Sequence, residues 1–442
     1  MKKDTIFSTV ERQEPLSAFL VGVQFPRADN ADEIPELLVE LGDLAGTLGM
    51  LVAGQQIVRI RKPCSRYLVG SGKAEEIRDL ALGCGARVII FDDELTPSQQ
   101  RNWEQFADMA VIDRQEVILD IFAERAQTRE AELQVALARS RYDMPRLKRR
   151  WGHLSRQRGM RGGMGSRGEG EQQLEVDYRL VQKQIQRLRG RLTEVQQQRS
   201  VQRSLRLRKG VPVVAIVGYT NAGKSALLNA LTGAGVYVED KLFATLDPTV
   251  RNLALPNRRE VLLTDTVGFI RKLPHLLIEA FKATLEETAL ADLLLEVIDV
   301  TAPAIEAHHH TTTEVLGAIG VPQQKPVLTV FNKVDLVDDE LTLRRLERKY
   351  TGAVFVSART GQGLDALKQR LTEELDRVLR RVTLRIPHDR YDLVGKLYRS
   401  GHVVGQRHEP EGVILDISAP ARTLEEMARF AVDGENRPDV AS

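Results

Sequence analysis

The sequence predicts an α/β protein with two parallel-sheet domains, a long antiparallel helical hairpin linker between them and a small C-terminal α+β domain. Three observations predict it. The first is Gly218-Tyr219-Thr220-Asn221-Ala222-Gly223-Lys224-Ser225, preceded by the apolar run Val213 to Val217 and followed by Leu227, Leu228, Ala230 and Leu231 at helical spacing. That is the strand–glycine loop–helix unit that cradles phosphates. The second is an alternation of strand-like and helix-like runs from Ala18 to Asp113, the pattern of a parallel α/β domain. The third is a change to helical periodicity from about Thr128, interrupted by an arginine- and glycine-rich stretch.

In chain order, the first domain (1–127) reads as a strand at Ala18 to Val23 and a helix from Glu36 to Thr47. A strand at Gln56 to Ile60, a helix at Ala74 to Leu82 and strands at Arg87 to Phe91 and Ala110 to Asp113 follow. Gly70-Ser71-Gly72-Lys73 imitates a phosphate loop, but Tyr67 stands where a glycine is needed, so a helix-opening turn is expected. Asp92-Asp93-Glu94 is expected to be a solvated strand end, with a site as the alternative.

The linker (128–209) carries Leu133, Leu137, Met144, Leu147 and Trp151 on one helix. Leu174, Tyr178, Val181, Ile185, Leu188, Leu192 and Val195 mark a second. Between the stripes, Arg149, Arg150, Arg156, Arg158, Arg161 and Arg167 are interleaved with glycines and almost no acidic residues. Such a segment can mould to phosphates and stack on bases, which makes RNA its expected partner, with a solvated linker as the alternative. The phosphate-loop domain spans 210–380. Residues 381–433 read as strand, helix, strand, strand and a short helix, with Glu409 to Gly412 as a hairpin turn, and 434–442 as a disordered tail.

The composition narrows the class. Net charge is only +2, so the arginines are a local feature rather than that of a polycation. No apolar run approaches the about 20 residues of a membrane-spanning helix, and Met1 to Asp4 lead into no secretory h-region. Cys64 and Cys84 have neither a disulfide nor a metal-site spacing, as in a reducing cytoplasm. Consecutive His308, His309 and His310 point apart on a helix, so an exposed surface run is expected rather than a metal site.

Four segments follow the glycine loop in an order that fixes its chemistry. Lys224 would reach the β- and γ-phosphates, and the Ser225 hydroxyl would bind Mg²⁺. Phe243-Ala244-Thr245-Leu246-Asp247 lies where a switch loop should cross the phosphates. Thr245 offers Mg²⁺ a hydroxyl there, and Thr249 is the competing candidate. Asp265-Thr266-Val267-Gly268 ends a strand, with Asp265 placed to hold Mg²⁺ through water and Gly268 to approach the γ-phosphate. Asn332-Lys333-Val334-Asp335 ends another strand. The Asp335 carboxylate accepts from guanine N1–H and the 2-amino group, donors that adenine lacks. Lys333 can cover the base and Asn332 can tie back to the glycine loop. The backbone of Ser357-Ala358-Arg359 is expected at guanine O6. Ligand sites in open α/β sheets lie at strand carboxyl ends, where these segments fall.

With these residues in place, the chain resembles the HflX family of translational GTPases. The likeness rests on GYTNAGKS (218–225), DKLFATLDPTVR (240–251), DTVGFIRKLP (265–274), FNKVD (331–335), SAR (357–359) and above all WGHLSRQRGMRGGMGSRGEGEQQLEVDYR (151–179). It implies a P-loop GTPase domain in a monomeric, cytoplasmic protein that binds GTP and GDP. It also implies association with ribosomes, chiefly the large subunit, which the family splits or rescues under stress. Ala226 and Val250 replace usual threonines, but neither is the presumed Mg²⁺ ligand. Related GTPases with asparagine at the position of Asn221 can bind K⁺ beside the phosphates; a plain loop asparagine is the equal alternative. Phe269 stands where many GTPases have a water-orienting glutamine, so slow intrinsic hydrolysis is expected. The competing readings are an RNA-remodelling ATPase, a membrane-remodelling GTPase and a non-catalytic RNA-binding scaffold.

Overall fold

The computed structural model describes residues 15–25, 33–147, 167–207, 211–233, 242–246, 248–257, 259–274, 277, 288–322, 324–399, 403–419, 424 and 427–432. It divides into two compact units. One is Met1–Leu192 with Lys241–Phe243 and Arg271–Ala280; the other is Thr193–Asp240 with Ala244–Ile270 and Phe281–Ser442.

The first unit contains β1 (Ser17–Gln24), α1 (Ile34–Thr47), β2 (Leu51–Arg59), α2 (Ser71–Gly83), β3 (Val88–Phe91), α3 (Pro97–Ala107), β4 (Ala110–Asp113), α4 (Arg114–Arg125) and α5 (Arg129–Asp143). Its strands pair in parallel in the order β2-β1-β3-β4. β3 is buried along its whole length, as expected of a parallel strand covered on both faces. Phe19, Ile89, Phe91 and Trp103 share its core. Gly70 caps α2, and Lys73 is an exposed partner of Glu76 at 2.7 Å, so the imitation loop is a helix opening.

α3 was not expected from the sequence, because its polar residues dilute the apolar period. Its start is nevertheless encoded. Thr96 Oγ1 accepts from Gln99 N at 3.3 Å, Gln99 Oε1 accepts from Thr96 N at 2.9 Å, and Pro97 occupies the first turn. Thr96→Ala removes this cap and is expected to lower the stability of the first unit by about 1 kcal/mol. Urea unfolding followed by fluorescence of the buried Trp103 measures it; an unchanged midpoint would show the cap to be inert.

The acidic strand end is a correction. Only Glu94 is solvated. Asp92 is 3% exposed because it pairs with Arg114 at 2.7 Å and with Lys272 at 2.5 Å, while Asp93 pairs with Lys272 at 2.9 Å. Arg114, itself buried, also binds Glu40. A carboxylate taken out of water needs such partners.

α6 (Arg167–Leu207) carries the second linker stripe, with Ile185 and Leu192 buried. Of the arginines assigned to RNA, Arg149, Arg150, Arg156, Arg158 and Arg161 lie outside the described residues. Arg167 begins α6, and its side chain is outside them too.

The second unit contains β5 (Val213–Gly218), α7 (Lys224–Thr232), β6 (Thr249–Ala254), β7 (Glu260–Asp265), β8 (Leu293–Asp299), α8 (Ile305–Ala318), β9 (Val327–Asn332), α9 (Glu340–Lys349), β10 (Val354–Phe355) and α10 (Leu364–Val378). The sheet order is β10-β9-β8-β5-β7-β6, parallel except for β6 against β7. β11 (Arg380–Ile386), α11 (Tyr391–Arg399), β12 (Val403–Glu409) and β13 (Gly412–Ala419) follow, with an antiparallel sheet β11-β13-β12. Within the helix expected at Leu424 to Phe430, Leu424 and Met427 are α-helical and Ala428–Phe430 form a 3₁₀ turn. No described helix is long and apolar enough to cross a membrane, and both cysteines are free.

Candidate nucleotide-binding site

The site assembles at the carboxyl ends of β5, β7 and β9. β5 ends at Gly218, whose φ of 137° and approach to β8 exclude a side chain. A Cβ there would lie 2.2 Å from the Val297 carbonyl oxygen. Gly223, at φ 86°, would collide with the Asn332 amide in the same way. The loop between them reverses through Asn221, left-handed at φ 59° with its side chain exposed. Asn332 is the fastener. Its Nδ2 donates to Ala222 O at 3.0 Å, and its Oδ1 accepts from Ala358 N at 3.0 Å. One amide thus joins the glycine loop, the Asn332–Asp335 loop and the Ser357–Arg359 loop.

Lys224 opens α7 and donates to Tyr219 O at 2.7 Å. Its ammonium is buried, which pushes its pKa down to about 8 against the opposing pull of Asp265. Ser225 Oγ lies 2.6 Å from both Thr245 Oγ1 and Asp265 Oδ2, and Thr245 Oγ1 reaches Asp265 Oδ2 at 3.1 Å. Thr249, the competing threonine, instead starts β6 opposite Asp265. Asp265 is wholly buried, and burial raises its pKa although Lys224 and the two hydroxyls oppose this. Its Oδ1 has no hydrogen-bond partner among the described residues. Two hydroxyls and a carboxylate with one orphaned oxygen form an all-oxygen set that fits a hard cation such as Mg²⁺.

Thr266 Oγ1 donates to Ile216 O at 2.7 Å. Gly268 lies so close to the loop that a Cβ would come within 2.9 Å of Thr220 Cγ2 and 3.0 Å of Lys224 Nζ. Phe269 is buried. Its N–H donates to Gly218 O at 3.1 Å and its carbonyl accepts from Thr220 N at 2.7 Å. It is therefore a structural brace of the loop with no means of orienting water.

At the base end, Asp335 lies in the turn after β9 and is approached by Arg359 Nε at 3.4 Å. Lys333, left-handed at φ 68°, pairs with Asp299 at 2.7 Å. Ser357 is buried and receives Thr360 N at 3.1 Å. Leu246 and Val267 are buried and Ala244 is exposed. Phe243 does not join these groups; it belongs to the first unit, its ring edge-on to Phe122 at 4.6 Å. Asp247 lies outside the described residues.

The histidine run is a second correction. His310 is exposed, but His308 stacks on Tyr219 with centroids 3.7 Å apart. His309 Nδ1 bonds Glu296 at 2.8 Å, and this hydrogen bond raises the His309 pKa. Sequence reasoning missed Glu296. The signal was an acidic residue inside the otherwise apolar run Leu293 to Ile298. No group of three His, Cys, Asp or Glu side chains suited to a metal occurs among the described residues.

A phosphate loop on a mostly parallel sheet, tied by asparagine to an Asn-Lys-x-Asp loop, defines a P-loop GTPase. The chain belongs to the HflX family. It matches the family descriptions "GTP-binding GTPase N-terminal" over residues 35–123, "GTP-binding GTPase Middle Region" over 125–206, "50S ribosome-binding GTPase" over 213–333 and "HflX C-terminal domain" over 342–439. It is 45% identical over 441 residues to GTPase HflX of Akkermansia muciniphila, covering 97% of this chain and 100% of that one. It is 43% identical over 406 residues to GTPase HflX of Escherichia coli, covering 91% and 93%. Among solved structures, a GTP-binding protein of Sulfolobus solfataricus in complex with GDP aligns at 24% identity and a TM-score of 0.41, covering 81% of this chain and 98% of that one.

Proposed function

We propose that this GTPase is a translation factor that associates with the large ribosomal subunit and splits or rescues ribosomes under stress, using the γ-phosphate as its timer. The convergence of Ser225, Thr245 and Asp265 beside Lys224 carries the proposal, because it supplies a cation and phosphate site at the end of a switch segment. Lys224 and the N–H groups of 218–225 bind the β- and γ-phosphates. Ser225 and Thr245 would hold Mg²⁺, with Asp265 beside them to hold it through water. When bound, Mg²⁺ would supply neutralisation of the negative charge on the phosphates. The Gly268 N–H senses the γ-phosphate. Asp335 reads guanine, with Lys333 across the base and the backbone of Ser357 to Arg359 at O6. Asn221, whose side chain is exposed, would hold a K⁺ beside the phosphates. The arginines from Arg149 to Arg167 contact ribosomal RNA, and the factor works in the cytoplasm as a monomer.

Phe269 makes hydrolysis slow in isolation, because its backbone braces the loop and its buried ring cannot align a water. Large ribosomal subunits are expected to raise GTP turnover by at least about tenfold, as when a partner completes a GTPase site. Turnover with and without purified subunits measures this, and equal rates would remove the ribosome from the mechanism.

A further inference from the structure

Tyr219 links the glycine loop to a helix that carries none of the nucleotide-binding motifs. Its carbonyl accepts the Lys224 ammonium at 2.7 Å, so the place of this residue sets where the ammonium points. Tyr219 is 6% exposed, and its ring lies flat on the His308 ring, with centroids 3.7 Å apart and planes 7° from parallel. The next residue on α8 fixes the helix. His309 Nδ1 contacts both oxygens of Glu296, at 2.8 and 3.0 Å, and Glu296 is 2% exposed within β8. β8 is also the strand against which Gly218 is packed, since Val217 pairs with Glu296 and Gly218 with Val297. A single strand therefore crowds the start of the loop from one side and anchors the histidine helix on the other.

We propose that His308 is a positioning residue for the phosphate loop: its stack on Tyr219 holds the carbonyl that orients Lys224, and the His309–Glu296 pair holds His308 in place. The proposal deepens the reading of Lys224 as the phosphate-binding lysine and rests on it. Without the stack, Tyr219 and its carbonyl sample other positions, and the loop must be re-ordered each time a nucleotide binds. The cost falls on GDP and GTP alike, because both carry the β-phosphate.

The test compares His308→Leu, which keeps volume but has no ring, with His308→Phe, which keeps a flat ring. Dissociation of fluorescent GDP and single-turnover hydrolysis of GTP are measured in the full chain. His308→Leu is expected to speed GDP release about tenfold, the scale of one lost aromatic stack, and to lower the single-turnover rate as well, because the Lys224 that Tyr219 orients also reaches the γ-phosphate. His308→Phe is expected to match the unaltered protein. GDP release from His308→Leu at the unaltered rate would overturn the positioning role, as would equal impairment in both variants. If the unaltered protein bound no GDP, the nucleotide reading beneath the proposal would fall with it; GDP binding by the parent with an unaltered release rate in His308→Leu would overturn the positioning role alone.

Discussion

Asp335→Asn is expected to weaken GTP binding by about 10³-fold and to create a preference for xanthosine triphosphate, because it inverts half of a hydrogen-bond pattern. Guanine presents two donors on one edge, N1–H and the 2-amino group, and a carboxylate accepts from both. An asparagine amide offers one acceptor and one donor, so its NH₂ faces the guanine amino group with both lacking a partner. Xanthine keeps N1–H but carries a carbonyl oxygen at position 2, which the new NH₂ can satisfy. The surroundings favour a clean exchange. Asp335 is held in a 3₁₀ turn after β9, its side chain is only 12% exposed, and its neighbour Arg359 is 78% exposed and free to swing aside for a base. Titration of the variant with both triphosphates decides the matter. Undiminished GTP affinity would show that Asp335 does not read the base.

The sequence made the nucleotide end of the molecule legible because each of its motifs is local. A strand, a glycine turn and a helix start lie within about a dozen residues, and their chemistry depends on backbone shape that the glycines themselves reveal. What it hid are contacts between residues far apart in the chain. Asp92 reads as a solvated strand end until Arg114, 22 residues away, and Lys272, 180 residues away, are placed beside it. The histidine run shows the same limit. Local geometry correctly says that the three rings diverge, but not that Glu296 waits under one and Tyr219 beside another. α3 is hidden for a different reason. Its residues Pro97 to Ala107 are mostly polar, so periodicity is faint, and only the Thr96–Gln99 cap announces it. Thr245 is marked over Thr249 by its place before Leu246-Asp247-Pro248, and in the structure its hydroxyl is the one that contacts Ser225 and Asp265.

Asp265→Asn is expected to lower GTP turnover by at least about 10²-fold, the scale of losing a metal-positioning carboxylate in phosphoryl transfer, while changing the stability of the nucleotide-free protein by no more than about 1 kcal/mol. The two effects separate because the carboxylate is poorly satisfied until a cation arrives. Burial is the larger influence on it and raises its pKa, so its charged form disfavours the folded state. That stabilising contribution of the protonated form is present below the unfolded pKa and lost as pH rises through the folded one. Asparagine removes this penalty. It also removes the negative partner of Lys224, whose ammonium burial already disfavours, so the two changes oppose each other. Ser225 and Thr245 keep an oxygen to donate to, since the amide oxygen can occupy the place of Oδ2. What asparagine cannot supply is the negative charge and the second acceptor that a hydrated Mg²⁺ needs at the buried Oδ1 position. Thermal unfolding in EDTA without nucleotide, set beside GTP turnover with Mg²⁺, tests both halves. If the variant lost several kcal/mol of apo stability along with its activity, Asp265 would be a structural residue, and the cation site would have to be sought elsewhere around Lys224.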